Sequence, residues 1–267
     1  MGADYREDLA RIAAALAAAR QVLAGFTPGE VAARKKSGGD PVTEADTLVD
    51  EVLRRMLPRP GEGWLSEETH DDRSRLACRR VWVVDPLDGT REFVMGLPEW
   101  SVSVGLVEDG EPVAGGICNP PRGETFLGAR GQGVTLNGEP AEVSRRPGLA
   151  GAEVLASRTE VERGQWQAFD GAPFQVVPMG SVAYKLARVA AGLSDATWTL
   201  VPKHEWDVAA GVALVLAGGG RIVAGNPDEE RFNRPEPLLT RLIAAPPRLL
   251  PEIEWEIGWR GGPGGRA

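Results

Sequence analysis

The sequence predicts an α/β fold of the α+β kind. Helices come first, then an antiparallel meander, then a second half in which strands and helices alternate. Three observations carry that expectation. Leu9, Ile12, Leu16, Ala19 and Leu23 recur three or four residues apart, which is one face of a helix. Between residues 81 and 143, short apolar runs are separated by Asp109-Gly110 and Asn137-Gly138, pairs suited to tight hairpin turns. Beyond Arg145-Arg146-Pro147-Gly148 the pattern changes to strand-like segments interleaved with helical ones. That tetrapeptide divides the chain into an N-terminal half, 1–145, and a C-terminal half, 146–267.

The first helix covers residues 4–24 and is a packing element, closed by Gly25 and Pro28. Residues 33–46 form a polar loop in which Lys35 and Lys36 read as solvated surface charge. Thr43 is placed to cap a second helix running to Leu57, with Leu48, Val52, Leu53 and Met56 on its inner face. Pro58 and Pro60 stop it. Trp64 and Leu65 lead into Glu67-Glu68, and His70 to Arg73 form an exposed loop. Val81 to Val84 is a run of β-branched and aromatic residues, the composition of a buried strand. Pro86 has no N–H for a sheet ladder, so the strand should stop at Asp85. Gly89 permits a sharp turn, and Thr90 to Phe93 start a short helix. Strands follow at 100–107, 112–118, 124–127 and 131–136.

The second half opens with a strand at 154–156, a helix at 159–169 and a strand at 175–177. Gly180-Ser181 starts a helix that runs through Lys185 to Ala191, and a strand covers 195–200. Lys203 to Asp207 is a loop before the helix Val208 to Leu216, which is apolar enough to be buried all round. Gly218-Gly219-Gly220 ends that helix, and the Gly-rich stretch from Gly258 reads as a flexible tail.

Composition narrows the function. The chain has 267 residues, 42% of them apolar, enough for a sizeable core. A net charge of −8 argues against a nucleic-acid polymer as partner, but leaves room for a small phosphorylated substrate held through metals. Cys78 and Cys118 are too few for a disulfide framework and read as buried thiols in a reducing cytoplasm. There is no run of about 18 apolar residues, so no membrane span is expected. The charged N-terminus, with Asp4, Arg6, Glu7, Asp8 and Arg11, is the wrong pattern for a signal peptide. Two histidines are too little material for a zinc site or a His-activated nucleophile.

The chemistry concentrates at residues 85–90. Asp85 sits at a strand end, where the sheet fixes its carboxylate, and Asp88 follows three residues later. The turn at Gly89 and the helix start at Thr90 offer N–H groups to a phosphate. Two carboxylates beside an anion-binding turn repel an anionic ligand unless cations lie between, which points to divalent metal and phosphate together. Asp-Gly is also an ordinary turn pair and carries nothing alone. Glu67-Glu68 supplies a metal ligand or is a solvated acidic turn. Gly180-Ser181 holds an anion or a ribose hydroxyl, or merely caps its helix.

Asp85-Pro86-Leu87-Asp88-Gly89-Thr90 resembles the signature of the inositol monophosphatase family, which includes the bisphosphate nucleotidases and is related to fructose-1,6-bisphosphatase. Three further blocks stand in the family's order: Asp40-Pro-Val-Thr-Glu-Ala-Asp46, Leu65-Ser-Glu-Glu68 and Glu205-Trp-Asp207-Val-Ala-Ala-Gly211. The resemblance implies a layered α-β-α-β-α sandwich and a phosphomonoesterase using two or three Mg²⁺ ions. It implies that Asp85 bridges two metals, that Glu67 and the Leu87 carbonyl complete one site, and that Asp88 and Asp207 complete the other. Inhibition by Li⁺ at that second site goes with it. By the same resemblance Asp46, Glu67 and Thr90 are expected to be catalytic, Asp46 and Thr90 orienting the attacking water; the N–H groups of Gly89 and Thr90 are expected to bind phosphate, with no covalent phosphoenzyme. Haloacid dehalogenase phosphatases also place aspartates before Gly-Thr, but two residues apart rather than three. A metal- or nucleotide-binding protein that kept the fold without catalysis is the competing class. Family members are often homodimers, so the resemblance leaves a homodimer open, but no stretch identifies an interface.

The substrate expectation also rests on resemblance. Thr90 is followed by Arg91-Glu92-Phe93, similar to the Lys-Glu-Phe of bisphosphate nucleotidases rather than the Asn-Phe of inositol-type enzymes. Inositol-type enzymes carry a Glu seven residues before the late metal aspartate; Leu200 stands there and accepts no hydrogen bond. Lys185 is similar to a nucleotidase lysine. Gly180, Ser181 and Lys185 are therefore expected at the substrate, and adenosine 3′,5′-bisphosphate, cut at its 3′-phosphate, is the expected substrate. Inositol 1-phosphate, histidinol phosphate and sugar phosphates are the alternatives.

Overall fold

The structure, a computed structural model, describes residues 4–35 and 41–258. Helix α1 (Arg6–Leu23) buries the face that its periodicity marks: Ile12, Leu16, Ala19 and Leu23. The segment expected as loop contains a two-residue ladder, β1 (Arg34–Lys35) against β2 (Pro41–Val42). Lys36, the side chain of Lys35 and the tail beyond Gly258 lie outside the described residues. Helix α2 (Glu44–Met56) starts at Thr43 as expected, but its buried face is turned. Ala45, Val49 and Leu53 point inward, while Leu48 and Met56 are exposed. The adjoining row, Asp46 and Asp50, is buried too. Apolar periodicity cannot see a polar row that faces inward toward hydrogen-bond partners, here Ser66 and Thr69 on Asp50.

Strands β3 (Gly63–Ser66), β4 (Arg80–Asp88), β5 (Ser101–Glu108), β6 (Glu111–Asn119), β7 (Glu124–Ala129), β8 (Gly133–Leu136) and β9 (Glu139–Ala141) form one seven-stranded sheet in chain order. Helix α3 (Thr90–Val94) lies between β4 and β5. The meander is antiparallel from β4 onward, but β3 adds a parallel edge beside β4. Both predicted hairpin turns form, with Asp109, Gly110, Asn137 and Gly138 all at positive φ. Strand β4 does not stop at Asp85. It passes through Pro86 to Asp88, because the register against β5 shifts between Asp85 and Asp88. A bulge needs no ladder N–H from the proline inside it.

The second half contains β10 (Glu153–Ser157), α4 (Arg158–Glu162), β11 (Gln175–Met179), α5 (Val182–Ala190), β12 (Ala196–Trp198), β13 (Lys203–His204), α6 (Glu205–Ala217), β14 (Arg221–Ala224), β15 (Leu238–Leu239), β16 (Leu242–Ala245) and α7 (Leu250–Glu256). Five of the strands form a mixed sheet in the order β11-β10-β12-β16-β14, and β13 pairs with β15. The helix expected at 159–169 is cut short at Glu162, since Gly164 takes a positive φ and only a 3₁₀ turn, Gln167–Phe169, follows. Helix α6 begins at Glu205, so Glu205, Trp206 and Asp207 are its first turn and not a loop. Acidic side chains favour that position because they satisfy free N–H groups.

Side chains on β4 alternate between two cores. Trp82 and Val84 face α1 and α2; Val81 and Val83 face α5 and α6. Helices α5 and α6 also pack on the five-stranded sheet, through Leu155 and Ala244. A third core lies on that sheet's far side, where Trp166, Trp198 and Ile243 meet Ile253 of α7. The layers are therefore α-β-α-β-α. Cys118 is buried and Cys78 only half-buried; both are free thiols. Among the described residues, no helix is long and apolar enough to cross a membrane.

Candidate active site

A cavity of about 340 Å³ is lined by residues from both halves, including Glu67, Asp85, Leu87, Asp88, Thr90, Ser181, Lys185 and Asp207. Parallel pairing sets its floor. Because β3 runs alongside β4, the Glu67 N–H reaches the Val84 carbonyl (3.3 Å) and the glutamate emerges beside Asp85. One oxygen of Asp85 accepts from the Leu87 N–H (3.0 Å); the other, Oδ2, is buried with no hydrogen-bond partner. Oxygens of Glu67, Asp85 and Asp207 lie within 4.8 Å of one another. Glu68 is not among the lining residues.

Three helix N-termini face this acidic centre, and a carboxylate caps each. Asp46 is the third residue of α2; its Oδ2 accepts from the Thr43 N–H (2.8 Å) and hydroxyl (2.6 Å). Asp207 holds the same place in α6, with Oδ2 accepting from the His204 N–H (2.8 Å). Asp88 reaches across the layers to α5, where Oδ2 accepts from the Ser181 hydroxyl (2.7 Å) and the Ala183 N–H (2.6 Å). Each cap fixes one oxygen, and the positive ends of the helices offset the crowding of negative charge. Asp46 itself lies behind the cavity wall, its Oδ1 accepting from the Thr90 hydroxyl (3.1 Å), which also lies 2.9 Å from the Leu87 carbonyl.

Crowding shows in the proton affinities. Burial, then the charges of Glu67, Asp88 and Asp207, raise the Asp85 carboxyl well above the usual range. Burial, then Asp88 and Glu67, push Asp207 up to about 8. Asp88 is raised by burial despite its caps. Oxygen-only donors, one of them orphaned, and carboxyls that resist ionisation in each other's presence are what a hard divalent cation relieves. The residues therefore fit such an ion.

The sequence-predicted residues Glu67, Asp85, Leu87, Asp88, Gly89, Thr90, Gly180, Ser181, Lys185 and Asp207 all line the cavity, and Asp46 reaches it through Thr90. Ser181 faces Asp88 and Ser101 (2.9 Å). Leu200 packs with the third core, and Val201 lines the cavity beside it. Glu92 is buried against Gly180, where a Cβ would lie 2.4 Å from its Cδ. Sequence reasoning missed Glu160, Arg163 and Lys203, which also line the cavity. For Lys203 the signal was its place four residues before Asp207; for Glu160 and Arg163 there was none.

Comparison with known proteins agrees with this architecture. Residues 4–255 match the model of the inositol monophosphatase family. Nus factor SuhB of Xylella fastidiosa is 36% identical over 197 residues, covering 70% of each chain. The 3′-phosphoadenosine 5′-phosphate phosphatase of Mycobacterium tuberculosis is 34% identical over 218 residues, covering 78% of this chain and 79% of that one. The solved structure of inositol monophosphatase from Anabaena superposes with a TM-score of 0.76 at 27% identity, covering 96% of both chains. Five alternating layers and these matches define a phosphatase by class. The chain belongs to the inositol monophosphatase family.

Proposed function

We propose that the chain is a Mg²⁺-dependent phosphomonoesterase and that adenosine 3′,5′-bisphosphate, cleaved at its 3′-phosphate, is its preferred substrate. The observation that carries the metal reading is the Glu67–Asp85–Asp207 cluster with its orphaned Asp85 oxygen. In this reading those three residues, with Asp88 and the Leu87 carbonyl, hold Mg²⁺, which supplies Lewis-acid chemistry to a phosphate ester. Gly89 and Thr90 receive the phosphate at the start of α3. The Thr90 hydroxyl, donating to Asp46, presents its lone pairs to an attacking water, and Asp46 takes up the proton relayed through it.

The substrate reading rests on two features. Leu200 packs with the third core and offers no acceptor to a ring hydroxyl, and the Glu92 side chain of Arg91-Glu92-Phe93 lines the wall instead of pairing on the surface. Without an acceptor at that position a polyol is selected less strongly. The test is kcat/KM for adenosine 3′,5′-bisphosphate, inositol 1-phosphate, fructose 1,6-bisphosphate and histidinol phosphate, with Mg²⁺ and with excess chelator. Activity is expected only with Mg²⁺. Asp85→Asn should lose at least about 10²–10³-fold, the scale for a main electrostatic contributor. Full activity in chelator refutes the metal reading; a tenfold win for inositol 1-phosphate or a sugar phosphate refutes the substrate.

A further inference from the structure

The cavity is lined by charges of both signs. Glu67, Asp85, Asp88 and Asp207 form one group of them. The remaining charged lining consists of two carboxylates, Glu92 and Glu160, and four cations, Arg91, Arg163, Lys185 and Lys203. Once the first group is set against divalent ions, the remaining lining carries more positive than negative charge.

Two of those cations are built in. Lys185 is 2% exposed and reaches the cavity wall, and its ammonium group makes no hydrogen bond or ion pair with any described residue. Long ammonium side chains almost never bury without a partner. Lys203 faces the same space with a side chain 13% exposed. Its one ion-pair partner among the described residues is Glu160, at 3.7 Å, and that glutamate Oε1 has no hydrogen-bond partner. The other Glu160 oxygen is taken by the Trp166 indole N–H (2.9 Å). Both lysines line the same cavity; burial, followed by the charge of Lys203 and against the pull of Asp88, Glu160 and Glu92, draws Lys185 down to about 8. Two ammonium groups in one cavity, one without an ion pair and the other with a single long one, suit an anion.

We propose that Lys185 and Lys203 form a second anion subsite, which binds a phosphate of the substrate other than the one being hydrolysed. Rotamer freedom lets Lys203 leave its long contact with Glu160 and turn to that phosphate. The preferred substrates are then bisphosphorylated, and Glu160 tunes affinity by competing for Lys203. The proposal deepens the phosphatase reading given above and rests on it for the hydrolysed phosphate, but the lysine pair itself does not need metal.

Two measurements test it. In the first, metal-free protein is titrated calorimetrically with inorganic phosphate, since the acidic group repels that anion when no cation is present. Wild type should bind, Lys203→Met should bind at least tenfold more weakly, and Glu160→Gln, which can still accept from Trp166, should bind more tightly. In the second, kcat/KM is compared across matched pairs: adenosine 3′,5′-bisphosphate against adenosine 3′-phosphate, and fructose 1,6-bisphosphate against fructose 1-phosphate. At least one bisphosphate should win by tenfold or more. Lys203→Met should erase that preference mainly through KM, and Lys203→Arg should restore part of it. Failure of phosphate to bind metal-free protein, equal binding by Lys203→Met, or no preference for either bisphosphate overturns the subsite. Intact phosphate binding with no hydrolysis of any ester overturns the phosphatase reading instead.

Discussion

Removing Arg75 should unlock the frame around the candidate metal site. The side chain is 1% exposed. Its guanidinium donates to Asp71 Oδ2 (2.8 and 3.1 Å), Asn233 Oδ1 (2.7 Å) and the Arg234 carbonyl (2.9 Å). Asn233 and Arg234 in turn donate their N–H groups to Glu205 (2.8 and 3.1 Å), a fully buried carboxylate two residues before Asp207. The loop that follows Glu67 is thereby tied to the first turn of α6. Arg75→Met fills similar space but leaves Asp71 and two acceptors without their cation. Breaking a buried ion pair from one side costs about 3–5 kcal/mol. Asp71 keeps some access to solvent, with 23% of its side chain exposed, so the lower end applies, about 3 kcal/mol. For a chain of this size that lowers Tm by roughly 6–12 °C. Thermal melts and urea unfolding of Arg75→Met, Glu205→Gln and the double variant measure it. The double variant should fall short of the sum by about 0.5–3 kcal/mol, because both residues act through Asn233. An Arg75→Met protein that melts within about 2 °C of wild type, or strict additivity, would refute the reasoning.

Further expectations concern the carboxylates. Glu67→Gln should cut kcat/KM by at least about 10²-fold while Glu68→Gln stays within about threefold, since only Glu67 lines the cavity; equal losses would reverse the assignment. Asp207→Asn and Asp88→Asn should each impair activity, and together less than the product of their effects, because both serve the same cation in the proposed site. The folded-state values of Asp85, Asp88 and Asp207 all lie above the unfolded value near 3.8. Above that pH these three carboxyls bind more protons in the folded, metal-free protein than in the unfolded chain, so the stability they contribute should fall as pH rises through about 8, a decline that outweighs the opposite contribution of the single ammonium of Lys185. Melts from pH 5 to 8.5 should show that decline, and added Mg²⁺ should raise Tm more at the upper end. A flat or rising metal-free profile counts against it.

Much of the site was legible because it is written in short stretches. Asp85 to Thr90 carries two carboxylates, a turn glycine and a helix start within six residues, and local sterics suffice to place them. Hairpin turns at Asp109-Gly110 and Asn137-Gly138 were legible for the same reason. The bulge that carries β4 through Pro86 was not, since a register shift belongs to the pairing of two strands and neither strand encodes it alone. The inward turn of α2 was hidden because its second buried row is polar, held by Ser66, Thr69 and Thr90 from other segments and by its own cap, Thr43.

Sequence alone determined most of the residue types that line the cavity and that carboxylates dominate one group of them. Only the tertiary structure decided how those carboxylates are held and what faces them. Asp46, Asp88 and Asp207 each cap a helix, and Asp88 does so through Ser181, 93 residues further along the chain. Lys203 and Glu160 meet across 43 residues, between a short strand and a broken helix, with no motif at either place. Spacing along a chain reports contacts within a turn or a hairpin. Charges brought together by layer packing depend on where whole helices and sheets stop against one another, and that is set by the three cores.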